Sequence, residues 1–221
     1  MKSDMMIKSS YSGMMYSHDF QLWYTYFNRR LKIGWSPQDL SFLLGKPDHA
    51  YLDFEKLFEV PKFLLSESIL MDRIYACSEV VPMEFFREPY EGSTERIVRV
   101  KVVEDEVKWY YKIELGWTFQ RGKDKPAAPL LSLEEWKPEI NLLLESDAMI
   151  HVRSRLEGLS ARGGFEGGKS SWELFQHVRH TGSTKLIIYP RHLKNCLYHM
   201  IQLGKIVVRN VDDRYRFSAV S

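Results

Sequence analysis

The spacing of apolar residues changes along this chain, and that change limits the folds it can adopt. Apolar residues recur every three or four positions from residue 18 to about residue 88 and again after residue 132, whereas they alternate between Glu95 and Trp117. The first spacing lines one face of a helix, and alternation lines one face of a strand. The sequence therefore predicts a mainly α-helical protein with small β-hairpins.

The alternating segment predicts a central β-hairpin, in a hairpin and linker region over residues 89–131. Val98, Val100 and Val102 share one face, a turn falls at Glu104-Asp105, and a second set follows at Val107, Trp109, Tyr111, Ile113 and Leu115. A lone two-stranded hairpin is only marginally stable in water, so its apolar face must cover a helix or a second copy of the chain. A homodimer formed through this face is one hypothesis.

The first 17 residues predict a loose N-terminal tail. Met1 to Tyr16 contains no apolar run as long as a secretory signal or a membrane span requires, so no membrane partner is expected. Cys77 and Cys196 fall among apolar neighbours, which argues against a disulfide framework and a four-ligand zinc site. We expect a cytoplasmic protein without a metal or another cofactor.

Three helices are predicted within an N-terminal domain over residues 18–88. Gly34 ends the first helix, Ser36 with Asp39 starts the second as a capping box, and Gly45 ends the second. A third helix follows directly. Two short helices joined by a tight Gly-containing turn have helix-turn-helix geometry, in which the second of the two is offered to the major groove of DNA.

The segment from Gly34 to Gly45, with Tyr51, Phe54 and Glu55 after it, resembles the helix-turn-helix family of phage Cro and repressor proteins (the XRE type). Two later segments are similar to the remaining helices of that family: Leu64–Cys77 and Val81–Phe86. Carried onto this chain, the resemblance implies these DNA-binding residues in the N-terminal domain: Arg30, Ser36, Gln38, Lys46 and His49.

Two acidic residues oppose that interpretation. Asp48 and Asp53 lie where bases would be read, and carboxylates facing phosphates are repulsive. A helical bundle used for dimerisation or partner binding is therefore an alternative for residues 18–88.

Charge is distributed unevenly along the chain. Residues 1–88 carry 10 Lys and Arg against 12 Asp and Glu, and residues 89–150 carry 9 against 12. Residues 151–221 carry 12 against 5, which makes the last third +7 in a chain of +2 overall. This asymmetry indicates an acidic partner for the C-terminal part.

Residues 132–221 predict a helical domain that ends in a hairpin. Ser132 with Glu135 is the start signal of a first helix, which contains Leu133 and Trp136. Pro190 opens a later helix, whose inner stripe is Leu193, Cys196, Leu197, Met200 and Ile201.

Two strands about the Asp212-Asp213 turn follow that helix, and this order of elements resembles the winged-helix superfamily. In that superfamily the helix before the hairpin enters the major groove, and the hairpin, or wing, touches the DNA backbone. The DNA-binding residues implied here are Arg191, His192, Lys194, Asn195, His199, Arg209, Arg214 and Arg216.

Residues 163–170 match the phosphate-loop pattern of Gly, four residues and Gly-Lys-Ser. That loop needs a buried strand before it, whereas Leu156 and Leu159 have helical spacing. The alternative interpretation is that Ser170 caps a helix together with Glu173. We therefore expect no enzymatic activity.

The patterns together predict a protein that binds double-stranded DNA, of the transcriptional-regulator type. The basic C-terminal winged helix would provide most of the affinity. The alternative is a protein-interaction adaptor or an antitoxin-like partner of another protein, with degenerate helix-turn-helix units.

Overall fold

The computed structural model describes residues 6–58, 65–76, 95–117, 130–137, 142–180 and 186–220. Within these ranges the chain forms seven α-helices and two antiparallel sheets, one of four strands and one of three. The protein is therefore of mixed α/β class, and the predicted mainly α-helical fold with small hairpins is wrong. The reason is that two further strands extend the central hairpin into a full sheet.

The elements in chain order are β1 (Met6–Tyr16), α1 (Ser17–Ile33), α2 (Pro37–Leu43), α3 (Ala50–Glu55), α4 (Leu65–Ala76), β2 (Glu95–Glu104), β3 (Lys108–Trp117), β4 (Leu130–Trp136), α5 (Leu142–Ala161), β5 (Lys169–Ser170), α6 (Ser171–His180), α7 (Pro190–Gln202), β6 (Ile206–Val211) and β7 (Arg214–Ala219).

The chain divides into two compact units, each assembled from separate segments. The first unit contains Met1–Gly34, Leu52–Leu64 and Tyr75–Pro138, and the second contains Trp35–Tyr51, Leu65–Ile74 and Glu139–Ser221. Since α1 and α2 belong to different units, the predicted separate helix-turn-helix bundle at the N-terminus is also wrong. The helix spacing is local, and it does not specify which other segments each helix packs against.

The first unit is a four-stranded antiparallel sheet in the order β1-β2-β3-β4, with α1 packed on one face. The face beneath α1 is apolar, with Val98, Val100, Val102, Ile113 and Leu115 buried. Phe27 of α1 meets the ring of Tyr111 edge to face at 4.8 Å. The predicted β2–β3 hairpin is confirmed, and because α1 covers it, its apolar face no longer calls for a second copy of the chain.

β1 is a strand where a loose tail is predicted. It pairs with β2 along its length, from Tyr16 opposite Glu95 to Met6 opposite Glu104, so the tail prediction is wrong from residue 6 onward. Met15 is the single side chain of β1 that is fully buried. Backbone pairing therefore holds this strand, and its sequence carries little apolar alternation that could reveal it.

β4 replaces the helix predicted to start at Ser132. It pairs with β3, and Ser132 and Glu135 lie on opposite faces of the strand, so no cap forms between them. Leu133 is buried on the face beneath α1. The boundary predicted between residues 131 and 132 consequently falls inside the first sheet.

The second unit contains α5, β5, α6, α7 and the β6–β7 hairpin, and its sheet has the order β5-β7-β6. Its core is lined by Val152, Leu156, Phe165, Phe175, Leu193, Leu197 and Phe217, all buried. The segment that contains α2 belongs to this core. Trp35 packs edge to face on Phe175, and Phe42 packs on Phe217 with ring centroids 6.3 Å apart.

The helix signals near the N-terminus are confirmed. Ser36 Oγ accepts a hydrogen bond from the Asp39 amide at 3.1 Å, and the Ser36 amide donates to Asp39 Oδ2 at 2.9 Å. Gly34 and Gly45 follow α1 and α2 with φ of 74° and 71°. These angles favour glycine, which explains why the two helices end there.

Some predictions lie outside the described residues: those on Cys77, on the short helix at Val81–Phe86, and on most of the linker within residues 89–131. α4 confirms the helix predicted between Leu64 and Cys77 over Leu65–Ala76. In the part of the chain that is described, no helix is both long enough and apolar enough to cross a membrane.

Candidate nucleic-acid interface

α7 has one buried face and one exposed polar face. Leu193, Cys196, Leu197 and Met200 are buried, as their spacing predicts. The opposite side exposes Asn195, Tyr198, His199 and Gln202. Amide and imidazole groups in such a row can donate and accept hydrogen bonds at base edges.

The β6–β7 hairpin begins just after α7 and carries two arginines on one face. Its turn is Asp212-Asp213, and both residues have positive φ, 51° and 58°, as a two-residue hairpin turn with the correct twist requires. Arg209 stands directly opposite Arg216, and both are exposed. In the described residues neither guanidinium lies within 4 Å of a carboxylate, although Arg216 is near enough to Glu173 to act on its charge.

Like charges directly opposite on paired strands repel each other, because their Cβ atoms are about 5 Å apart. An anion placed between Arg209 and Arg216 would relieve that repulsion. The third arginine of the hairpin, Arg214, donates to Ser66 Oγ at 3.2 Å.

The glycine-rich segment next to this hairpin forms a helix start. α5 precedes it, so the strand that a phosphate loop needs is replaced by a helix. The predicted cap is confirmed, because Ser170 Oγ accepts from the Glu173 amide at 3.2 Å and the Ser170 amide donates to Glu173 Oε2 at 2.7 Å. Burial opposes the shift, but these bonds and nearby Lys169 and Arg216 hold the pKa of Glu173 below its usual value.

Three residues predicted to face DNA from α7 bind carboxylates of the second unit instead. Arg191 donates to Glu145 at 2.5 Å, and Lys194 Nζ lies 2.6 Å from both carboxylate oxygens of Asp48. His192 is 2% exposed, so its predicted contact with DNA is wrong.

The tautomer of His192 follows from its two partners. Nδ1 accepts from the Tyr189 amide at 3.1 Å, which leaves the proton on Nε2, 2.6 Å from Glu145 Oε2. Burial works against ionisation, but the bonds from Arg191 and His192 lower the pKa of Glu145. His192 therefore ties α7 to α5, a role that helical spacing alone does not reveal.

The DNA-binding residues predicted in the N-terminal segment are not gathered on one surface. Arg30 lies in the first unit and is buried, so its predicted contact with DNA is wrong. Ser36 is occupied in the cap of α2, and Lys46 pairs with Glu67 at 3.1 Å. Gln38 and His49 are exposed.

Arg30 instead belongs to a buried ionic cluster that sequence periodicity did not indicate. It binds Glu55 and Glu135, and the Tyr111 hydroxyl also donates to Glu135. Burial raises the pKa of Glu55 to about 7, although Arg30 acts in the opposite direction. A carboxylate within a helix normally predicts an exposed face, so no local signal marks this cluster.

No protein-family model, no curated protein and no solved structure matches this chain. Over the described ranges, no group of three or more His, Cys, Asp or Glu residues is placed to hold a metal ion. The exposed faces of α7 and of the hairpin are therefore the basis for a functional assignment.

Proposed function

We propose that this chain binds double-stranded DNA through its second unit and acts as a transcriptional regulator. The observation that carries the proposal is the Arg209–Arg216 pair, two exposed cations held opposite each other on a hairpin. Phosphate is the anion that such a pair suits, since neutralisation of phosphates by Arg and Lys dominates affinity for DNA.

The order of elements supports a winged-helix interpretation of this unit. α5, β5, α6, α7 and the β6–β7 hairpin follow one another, and β5 pairs with β7. In the winged-helix superfamily the helix before the hairpin enters the major groove. On this chain that helix is α7, whose exposed Asn195 and Gln202 suit the base edges of adenine.

The charges on this surface assign different roles to α7 and to the hairpin. Arg191 and Lys194 already bind carboxylates, so α7 offers neutral hydrogen-bonding groups and the hairpin offers cations. Arg209 and Arg216 would bind phosphate, with Arg214 beside them, while Asn195, His199 and Gln202 would face the groove.

Fluorescence anisotropy of the full chain with a short labelled duplex, at several salt concentrations, tests the proposal. We expect binding that weakens steeply with salt. The double variant Arg209→Gln, Arg216→Gln should reduce the slope of log K against log salt by about 2, at roughly 0.9 per lost phosphate contact. Arg99→Gln, an exposed arginine of the first unit, is the matched control and should leave the slope unchanged. Absence of binding in dilute buffer, or an unchanged slope in the double variant, contradicts the proposal.

One observation favours the alternative of a protein-interaction adaptor or an antitoxin-like partner. Tyr198 is 44% exposed on α7 and Leu203 is 55% exposed just beyond it, and the hairpin tip is acidic at Asp212 and Asp213. Exposed apolar groups, and a hairpin tip that repels phosphate, both suit a protein surface better than a phosphate backbone. Two results together would decide for this alternative. One defined protein copurifies with the chain but not with the double variant Tyr198→Ser, Leu203→Ser, and the chain does not bind duplex.

A further inference from the structure

The face of the four-stranded sheet opposite α1, called the outer face below, carries a row of four polar side chains in register. Ser10 is opposite Lys101, Lys101 is opposite Lys112, and Lys112 is opposite Ser132. All four are exposed. Paired strands lie about 4.8 Å apart, so the row crosses all four strands over about 14 Å.

Lys101 and Lys112 differ from the other lysines of the sheet and its edges. Three of those have a glutamate within ion-pair distance: Lys8 with Glu104, Lys108 with Glu134 and Lys137 with Glu104. Among the residues that the structure describes, Lys101 and Lys112 have no carboxylate partner, although they stand directly opposite each other. Two neighbouring like charges without a counter-charge are unfavourable unless an anion lies between them.

A concavity of about 460 Å³ opens on this row. Its lining includes Ser10, Lys101 and Lys112, with Leu130 at one side. Small-molecule sites commonly have volumes of about 300 to 1,000 Å³, so the concavity can hold a compact ligand. Leu130 is 71% exposed and offers an apolar contact beside the cations.

Carboxylates limit the size of the anion that fits. Glu114, which binds Arg99 at 3.2 Å, lies on the same face two residues along β3 from Lys112. Glu134 lies on the same face two residues along β4 from Ser132. A nucleic-acid strand would carry its next phosphates toward these carboxylates, whereas a single compact phosphate would not.

We propose that the outer face binds a small phosphorylated molecule, with its phosphate between Lys101 and Lys112. The remainder of the ligand lies along Leu130. This site is in the first unit, whereas the proposed DNA binding belongs to the second unit. Its ligand would be a small-molecule effector of the proposed regulator.

Isothermal titration calorimetry of the full chain with inorganic pyrophosphate tests the site. Pyrophosphate offers the phosphate groups of the proposed ligand without its organic part. Replacement of each lysine, in Lys101→Gln and in Lys112→Gln, should weaken binding by about tenfold or more, since each removes a charge-assisted hydrogen bond to the anion. Lys108→Gln, which removes a lysine that already has a partner, is the matched control and should bind as the wild type does. Glu114→Gln should bind more tightly, because it removes a carboxylate from the concavity.

Three results would overturn the proposal: pyrophosphate does not bind, the double lysine variant binds it as well as the wild type does, or single-stranded oligonucleotide binds through these lysines more tightly than pyrophosphate. Thermal unfolding separates loss of binding from loss of folding, because removal of either like charge should leave the midpoint unchanged or raise it. Duplex binding in the same variants keeps the two proposals apart. It should survive the loss of Lys101 and Lys112, just as pyrophosphate binding should survive the loss of Arg209 and Arg216.

Discussion

Arg30 binds Glu55 through two hydrogen bonds, from Nε to Oε1 and from Nη2 to Oε2, where both side chains are almost fully buried. The remaining guanidinium nitrogen, Nη1, donates to Glu135 Oε1 at 2.7 Å. One guanidinium therefore donates hydrogen bonds to two carboxylates inside the first unit. Buried charges are costly to leave unpaired, so this cluster should govern how the unit responds to pH and to substitution.

The contribution of Glu55 to stability should fall as pH rises from about 5 to about 7, whereas His177, whose pKa is lowered by burial, contributes in the opposite direction. Folded Glu55 has a pKa of about 7 against an ordinary value of 4.5, so between these values the folded state holds a proton that the unfolded state releases. Through Glu55, each rise in pH within that range consequently favours unfolding. Urea unfolding at several pH values, followed by tryptophan fluorescence, measures the slope. Glu55→Gln should remove the contribution of Glu55 from it, and an identical slope in this variant would contradict the assignment.

Arg30→Met should destabilise the protein by about 3–5 kcal/mol, because it leaves buried Glu55 and partly buried Glu135 without their cation. The matched control is Arg99→Met. Arg99 pairs with Glu114, but both side chains are about half exposed, and such pairs contribute less than about 1 kcal/mol. Chemical denaturation of the two variants at one pH gives the comparison. Similar losses in both would show that the cluster adds little.

Arg209→Glu should change stability and DNA binding in opposite directions. It converts a repulsive cross-strand pair with Arg216 into an attractive one, which should stabilise the hairpin by about 0.2–1 kcal/mol. It also places a negative charge where we propose that phosphate binds, so the affinity for duplex should drop. Thermal unfolding and anisotropy on the same sample test both parts. A variant that loses stability would show that the two arginines do not repel each other as their register implies.

Gly45→Ala should cost more stability than Gly34→Ala, although both glycines have φ near 70°. The backbone strain, about 1 kcal/mol, is common to the two substitutions. At Gly45 an added Cβ would lie 3.2 Å from the Tyr215 amide nitrogen, which itself donates to the Gly45 carbonyl, whereas at Gly34 nothing lies within 4 Å. Unfolding midpoints of the two variants give the difference, and equal costs would mean that the backbone near Tyr215 yields readily.

Local signals in the sequence predict helix ends and the central hairpin correctly. Ser36 with Asp39 and Ser170 with Glu173 form caps within four residues, so their outcome depends on little else. Strands β1 and β4 depend on partners that are distant in sequence. Ser132 and Glu135 have the same capping pattern, but they form no cap because their segment pairs with β3 as a strand.

The candidate DNA interface shows the same contrast between features set by nearby residues and features set by distant ones. Helical spacing correctly separates the buried stripe of α7 from exposed Asn195 and His199. It does not show that Lys194 binds Asp48, 146 residues away, or that Arg191 binds Glu145. Ion pairs between distant segments decide which cations remain available, and periodicity contains no information about them.

The register of β1 has a consequence for folding during synthesis. Met6 pairs with Glu104, so β1 has no partner strand until β2 has been translated. The second unit likewise needs Trp35–Tyr51 and residues from Glu139 onward before its core can close. Each unit combines segments from both halves of the chain, so a nascent chain stalled between them would expose the Met6 and Ile7 end of β1 to chaperones or to other nascent chains.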